Sequence, residues 1–207
     1  MKSALAAFTA IAAIAALSAG PAAAFGYRYV TPSPEYSTAY NGDPDGEDPY
    51  EFGRDYPQTT RSLVSDPTGQ AAGTITIDTG ERALYLSMRG GRALRYDVGV
   101  GRQGFAWAGV ARIGRKAEWP GWTPPPAMLK RRPDLPRHME GGIDNPLGAR
   151  AIYLYSGKRD TLFRIHGSNE PWTIGQAVSS GCIRMLNADV KDLYSRVRVG
   201  TKVVVLR

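Results

Sequence analysis

The only cysteine of this 207-residue chain, Cys182, lies 16 positions after one of its two histidines, His166. Each has a glycine neighbour, in His166-Gly167-Ser168 and in Ser179-Ser180-Gly181-Cys182-Ile183-Arg184. A thiol attacks as thiolate, and an unperturbed cysteine is only about 3% ionised at neutral pH. An imidazole can take the thiol proton and later return one to a leaving group. Glycine lets a carbonyl approach the sulfur closely enough for backbone N–H groups to hold a developing oxyanion. These residue types in this arrangement point to acyl transfer. A lone cysteine can equally be a small buried apolar residue. It cannot form an internal disulfide, and in an oxidising compartment an idle thiol is a liability.

The elements that would position this pair are mostly strands. Over Thr161–His166, strict alternation turns Phe163 and Ile165 to one side and Arg164 and His166 to the other, so His166 leaves the apolar layer at a strand end. After Cys182 the same rule puts Arg184 on the cysteine's side and Ile183 opposite. A guanidinium there could grip a substrate carboxylate through two parallel hydrogen bonds, or form a surface ion pair. Further strands are expected at Thr74–Asp78, Ala83–Met88, Leu94–Val100, Val110–Trp119, Ala151–Tyr155 and Thr201–Leu206, with hairpin turns at Arg89–Arg92 and Ser156–Lys158. A proline-started helix is expected from Pro124 through Lys130. A second should be N-capped by Asn187, with Val190, Leu193, Tyr194 and Val197 on one stripe. The fold class read from this pattern is mainly β, an antiparallel sandwich or barrel with a few short helices.

Three stretches follow from composition. Residues 1–24 read as a secretory signal peptide: Lys2, an uncharged run from Leu5 to Leu17, the Gly20-Pro21 break and Ala22-Ala23-Ala24 before cleavage. Retention as an anchor is the alternative; cleavage would leave no membrane span in the mature chain. Residues 25–70, rich in Tyr, Pro, Gly, Asp and Thr without apolar periodicity, read as a flexible tether. The catalytic domain is placed at 71–207. Residues 25–70 carry 3 Lys/Arg against 8 Asp/Glu, whereas 71–207 carry 22 against 11, a net of +11. A basic exported domain suits a carboxylate-rich wall polymer; export and the lack of basic–aromatic interleaving argue against nucleic acid. With two histidines and no HExxH spacing a zinc hydrolase is not supported, and no nucleotide loop implies a cofactor.

The stretches His166–Trp172, Ile174-Gly175-Gln176 and Ser179–Met185 resemble the catalytic core of the L,D-transpeptidases, the YkuD-type domain. Trp119-Pro120, Pro124–Met128, Asn145–Gly148 and Val199–Val203 also resemble family segments, so the likeness spans about 71–207. It implies a periplasmic enzyme acting on peptidoglycan stem peptides. Cys182 would attack the bond between meso-diaminopimelate and terminal D-alanine of a tetrapeptide stem. His166 would be base and then acid, its ring oriented by the Gly167 carbonyl. N–H groups of Ser180, Gly181 and Cys182 would form the oxyanion hole, and Arg184 would hold a stem carboxylate. An amine would resolve the thioester: another stem, a D-amino acid, or a lysine of a lipoprotein or outer-membrane protein. Water in its place makes an L,D-carboxypeptidase, and a non-catalytic wall-binding domain is a further alternative. Ser180 stands where many members carry histidine, and Ser168 where threonine is frequent. His138 has no assigned role and reads as surface or loop.

Overall fold

The alternating residues expected to form strands do so in a computed structural model that describes residues 57–103 and 107–207. The strands are β1 (Ser62–Ser65), β2 (Ile75–Asp78), β3 (Ala83–Ser87), β4 (Arg92–Asp97), β5 (Val100–Gly101), β6 (Gly109–Glu118), β7 (Arg150–Ser156), β8 (Arg159–His166), β9 (Ala177–Ser179), β10 (Ile183–Arg184) and β11 (Lys202–Leu206). Two α-helices, α1 (Pro126–Arg131) and α2 (Asn187–Arg196), and a short 3-10 turn at Pro171–Thr173 complete the described elements. The fold is mainly β, as expected. The expected leader and the tether as far as residue 56 lie outside the described residues. Among the described residues no helix is long and apolar enough to cross a membrane.

One sheet runs β1-β4-β3-β2-β11-β6-β7-β8-β10, and β5 pairs with β9 in a small second sheet. Antiparallel pairing dominates, but β2–β11, β8–β10 and β5–β9 are parallel. Parallel neighbours need a long crossover between them. The 167–182 connection supplies the one between β8 and β10, while β2 and β11 come from opposite ends of the domain, neither of which a hairpin-by-hairpin reading of the sequence reveals. The sheet curls around a main apolar cluster in which Leu84 and Tyr96 from one half join Ile152, Ile165 and Ile183 from the other, with Val190 and Leu193 of α2; Ala83, Tyr85 and Ala93 form a second, smaller one. Helix α2 reaches both halves: Asp192 accepts from the Tyr96 hydroxyl at 2.6 Å, and Lys116 of β6 donates to the carbonyls of Tyr194 and Val197 at 2.6 and 2.7 Å.

Two sequence expectations need correction. The tether does not run to residue 70, because β1 pairs with β4 over Ser62–Ser65. Upstream of it, Asp189 in the first turn of α2 accepts bonds from Thr59 Oγ1, Thr60 N (3.0 Å) and Thr60 Oγ1 (2.7 Å). Leu63 stays 53% exposed. This segment is held mainly by a backbone ladder and polar bonds, with Val64 alone packing on the small apolar cluster of Ala83, Tyr85 and Ala93, too little for hydrophobic periodicity to report. Asp189 is fully buried, so Asp189→Ala strands several donors. We expect it to lower unfolding stability by about 3 kcal/mol, the order for charge-assisted bonds lost from a buried site, measured by urea denaturation. A loss below about 0.5 kcal/mol would show that the segment is not anchored there.

The second correction concerns Asn187. The residue preceding α2 is Leu186, and no side chain caps the helix. Asn187 Oδ1 instead accepts from Ala149 N (3.0 Å) and Ser168 N (3.2 Å). Its side chain therefore ties the start of β7 to the loop that leaves His166. A Cβ at Gly148 or Gly167 would collide with that oxygen, so the glycine beside His166 is a packing requirement of this tie.

Candidate active site

His166 ends β8 and is only 4% exposed. Its Nδ1 lies 2.5 Å from the Gly167 carbonyl. A carbonyl can only accept, so Nδ1 carries the proton and Nε2 presents a lone pair. Burial, reinforced by the Arg184 charge, pushes the imidazole pKa down to about 4 against the opposing Gly167 hydrogen bond. The ring is a neutral base at neutral pH.

Cys182 directly precedes β10. The parallel register puts Ile183 beside Ile165 and Arg184 beside His166. Cys182 therefore falls next to Arg164, on the face of the sheet that carries His166. The Arg164 backbone N–H donates to the sulfur, and the Arg164 and Arg184 charges also favour thiolate, but burial outweighs them and raises the thiol pKa. The thiol itself belongs to a half-buried residue. Both shifts favour an uncharged thiol–imidazole pair at rest. The proton would move to His166 Nε2 as the sulfur attacks, not beforehand.

The loop carrying the nucleophile is braced by Ser179. Its hydroxyl donates to the Cys182 carbonyl at 2.6 Å and accepts from Gly181 N at 3.1 Å. Of the three N–H groups expected at an oxyanion hole, that of Gly181 is thus directed at Ser179, which leaves those of Ser180 and Cys182 as the better candidates. Gly181 has φ 121°, a backbone conformation that favours glycine. Gly99, just before β5, exchanges two backbone hydrogen bonds with Arg184, at 2.8 and 2.9 Å, and so steadies the strand that follows the cysteine.

Arg184 is placed where expected but has protein partners: its Nη1 donates to Glu170 Oε2 at 2.6 Å and to Thr173 Oγ1 at 3.2 Å. Both bonds use one nitrogen, so the Nε–Nη2 edge is the one that could take a carboxylate. Three residues of this region were not singled out from sequence. Arg164 was legible, because the alternation that exposed His166 also exposed it. Glu170 and Ser179 carry no spacing signal of their own. Asn169 Nδ2 donates to the Asp144 carbonyl at 2.8 Å, and Asn145, buried to 1% exposure, donates to the carbonyls of Pro120 and Glu140. Together they fasten the 119–149 segment to the loop after His166. His138 is an exposed side chain beside Thr123 and Glu140. Among the described residues no three His, Cys, Asp or Glu side chains converge as a metal site requires.

A family model described as the L,D-transpeptidase catalytic domain, YkuD, matches residues 72–205. The probable L,D-transpeptidase ErfK/SrfK of Escherichia coli K12 is 36% identical over 141 residues, covering 64% of this chain and 43% of that protein. The probable L,D-transpeptidase YcfS of the same organism is 35% identical over 142 residues, with the same coverage. The chain thus matches less than half the length of these relatives. Among solved structures, L,D-transpeptidase 3 from Mycobacterium tuberculosis superposes with a TM-score of 0.50 at 16% identity, over 65% of this chain and 60% of that one, a likeness of fold.

Proposed function

Because the chain belongs to the YkuD-type L,D-transpeptidase catalytic-domain family, we propose that it is a peptidoglycan L,D-transpeptidase of the cell envelope, exported by residues 1–24. The observation that carries this reading is the Cys182–His166 arrangement: nucleophile and ring share one face of adjacent parallel strands, with Nδ1 tied to the Gly167 carbonyl.

Cys182 attacks the carbonyl between meso-diaminopimelate and the terminal D-alanine of a tetrapeptide stem as His166 Nε2 takes the thiol proton. The Ser180 and Cys182 N–H groups hold the oxyanion. Collapse breaks the C–N bond, the imidazolium gives its proton to the departing amine, and a thioester remains. An acceptor amine then attacks the thioester, His166 takes a proton from it, and the sulfur leaves and is reprotonated. Arg184, kept in place by Glu170, presents its outer edge to a stem carboxylate. The acceptor is a second stem, a D-amino acid or a protein lysine.

Incubation of the purified protein with tetrapeptide muropeptides, with and without an added amine, tests this by mass spectrometry. Cross-linked dimer or amine-exchanged monomer is the expected product. Tripeptide alone would assign the protein to hydrolysis, and unchanged tetrapeptide under every condition would overturn the proposal.

A further inference from the structure

We propose that the sheet face bearing Cys182 continues into a binding platform for an extended acidic peptide, formed by Arg115, Tyr153 and Arg164, with Arg115 as its carboxylate anchor. The proposal rests on the acyl-transfer reading of Cys182, which brings a peptide carbonyl to one end of the row.

The register defines the row. Arg164 of β8 is paired with Tyr153 of β7, and Tyr153 with Arg115 of β6. Cys182, continuing β10, adjoins Arg164. Strands lie about 4.8 Å apart, so the Arg115 backbone is about 14 Å from that of Cys182, whereas the three residues a tetrapeptide stem leaves on the sulfur span about 10 Å when extended; the Arg115 side chain leans over Tyr153 toward the cysteine and closes the difference. A peptide joined to the sulfur and running across the strands would reach it.

The charges along the row are unequal. Tyr153 lies between two guanidiniums, with Arg115 Cζ 3.6 Å and Arg164 Cζ 4.5 Å from its ring centroid. Arg164 is clasped by Asp160 at 2.7 and 2.9 Å. Arg115 is exposed and has no carboxylate within ion-pair distance among the described residues. Stacking orients a guanidinium while leaving its edge donors available, the arrangement that receives a carboxylate through two parallel bonds. With Asp160 bonded to Arg164 and reached by Arg115 only through its charge, Arg115 keeps its edge toward solvent, in line with the thiol.

The test compares two synthetic tetrapeptide stems, one with free side-chain carboxylates and one with those groups as amides, on wild type, Arg115→Gln and Arg115→Lys. The ratio of kcat/KM for acid over amide stem should fall about tenfold in Arg115→Gln, the order for loss of one charge-assisted contact, and recover in part in Arg115→Lys. A ratio within twofold of wild type in Arg115→Gln overturns the platform. Labelling of wild-type Cys182 by a carbapenem, read by intact mass, reports on the underlying reading separately. Wild type that neither labels nor turns over either stem overturns that reading and the platform with it. Labelled, active wild type with an unchanged ratio in Arg115→Gln overturns the platform alone.

Discussion

Cys182→Ala is expected to abolish product formation from tetrapeptide stems and to remove every covalent adduct seen by intact mass, while the protein stays folded. The first part follows from the chemistry. Cys182 is the sole cysteine of the chain, so no second thiol can take its place. Without the sulfur no thioester forms, and the loss of rate should exceed what an impaired proton donor produces. The second part follows from the packing. Cys182 is half-buried and absent from the apolar cluster, whereas its neighbours Ile183 and Met185 are fully or almost fully buried. The loop is held by the Ser179 hydroxyl and the strand by Gly99, neither of which needs the thiol. The melting temperature should therefore move by no more than a few degrees, corresponding to a change below about 1 kcal/mol. Turnover near the wild-type rate would eliminate the cysteine mechanism, and loss of the folded state would make the thiol structural.

The readable and unreadable parts of this protein separate along physical lines. Alternation locates β2 and β8, and apolar or β-branched runs bounded by turns locate β3, β4, β6, β7 and β11; burial of one face then fixes the register of the alternating strands, whereas β3 is buried on both faces. Alternation also placed His166 and Arg184 correctly, since both sit on strands where it holds. Strand β1 is not legible in the sequence because its hold comes from the backbone ladder with β4, with only Val64 packing on a small cluster of Ala83, Tyr85 and Ala93. Asn187 was misread because a good N-cap residue and a buried bridging amide look identical in one dimension; what decides is the proximity of Ala149 and Ser168, 38 and 19 positions away. The bond between Ser179 and Gly181 is a short-range side-chain choice that spacing does not encode. The Arg115–Tyr153–Arg164 row emerges only once β6, β7 and β8 are in register, and both strand pairs contain a shift that moves the pairing by a residue or more.

These ties share a direction. Asn187 joins the β7 start to the loop after His166, Asn169 joins that loop to the 119–149 segment, and Arg184 joins the strand after Cys182 to Glu170. Each polar contact fixes backbone on one side of the thiol–imidazole pair, where a positional error would be most costly to proton transfer. The apolar cluster sets which face the pair occupies, and the buried polar bonds set how closely it is held.

His166→Ala should lower kcat/KM by about 10²–10⁴-fold, the usual contribution of a positioned acid–base group, because the thiol then has no local proton acceptor and the leaving amine no donor. The pH profile distinguishes this from a packing defect. Burial keeps the wild-type imidazole neutral down to about pH 4, so wild-type activity should persist well below the 6.5 expected of a solvated histidine and fall only near 4. The residual activity of the variant should lack that acid limb. Stability carries the same signature with a defined sign. The unfolded chain protonates His166 near pH 6.5 and the folded chain only near about 4, so between these values the unfolded state binds the extra proton and folding stability declines as pH falls. The slope is at most about 1.4 kcal/mol per pH unit and the total about 3 kcal/mol. In His166→Gln, which cannot titrate there, this component disappears, and the drop in melting temperature between pH 7 and pH 4.5 should be smaller than in wild type. An acid limb near 6.5 in the wild type, or equal drops in the two proteins, would show that His166 is not the buried neutral base this site requires.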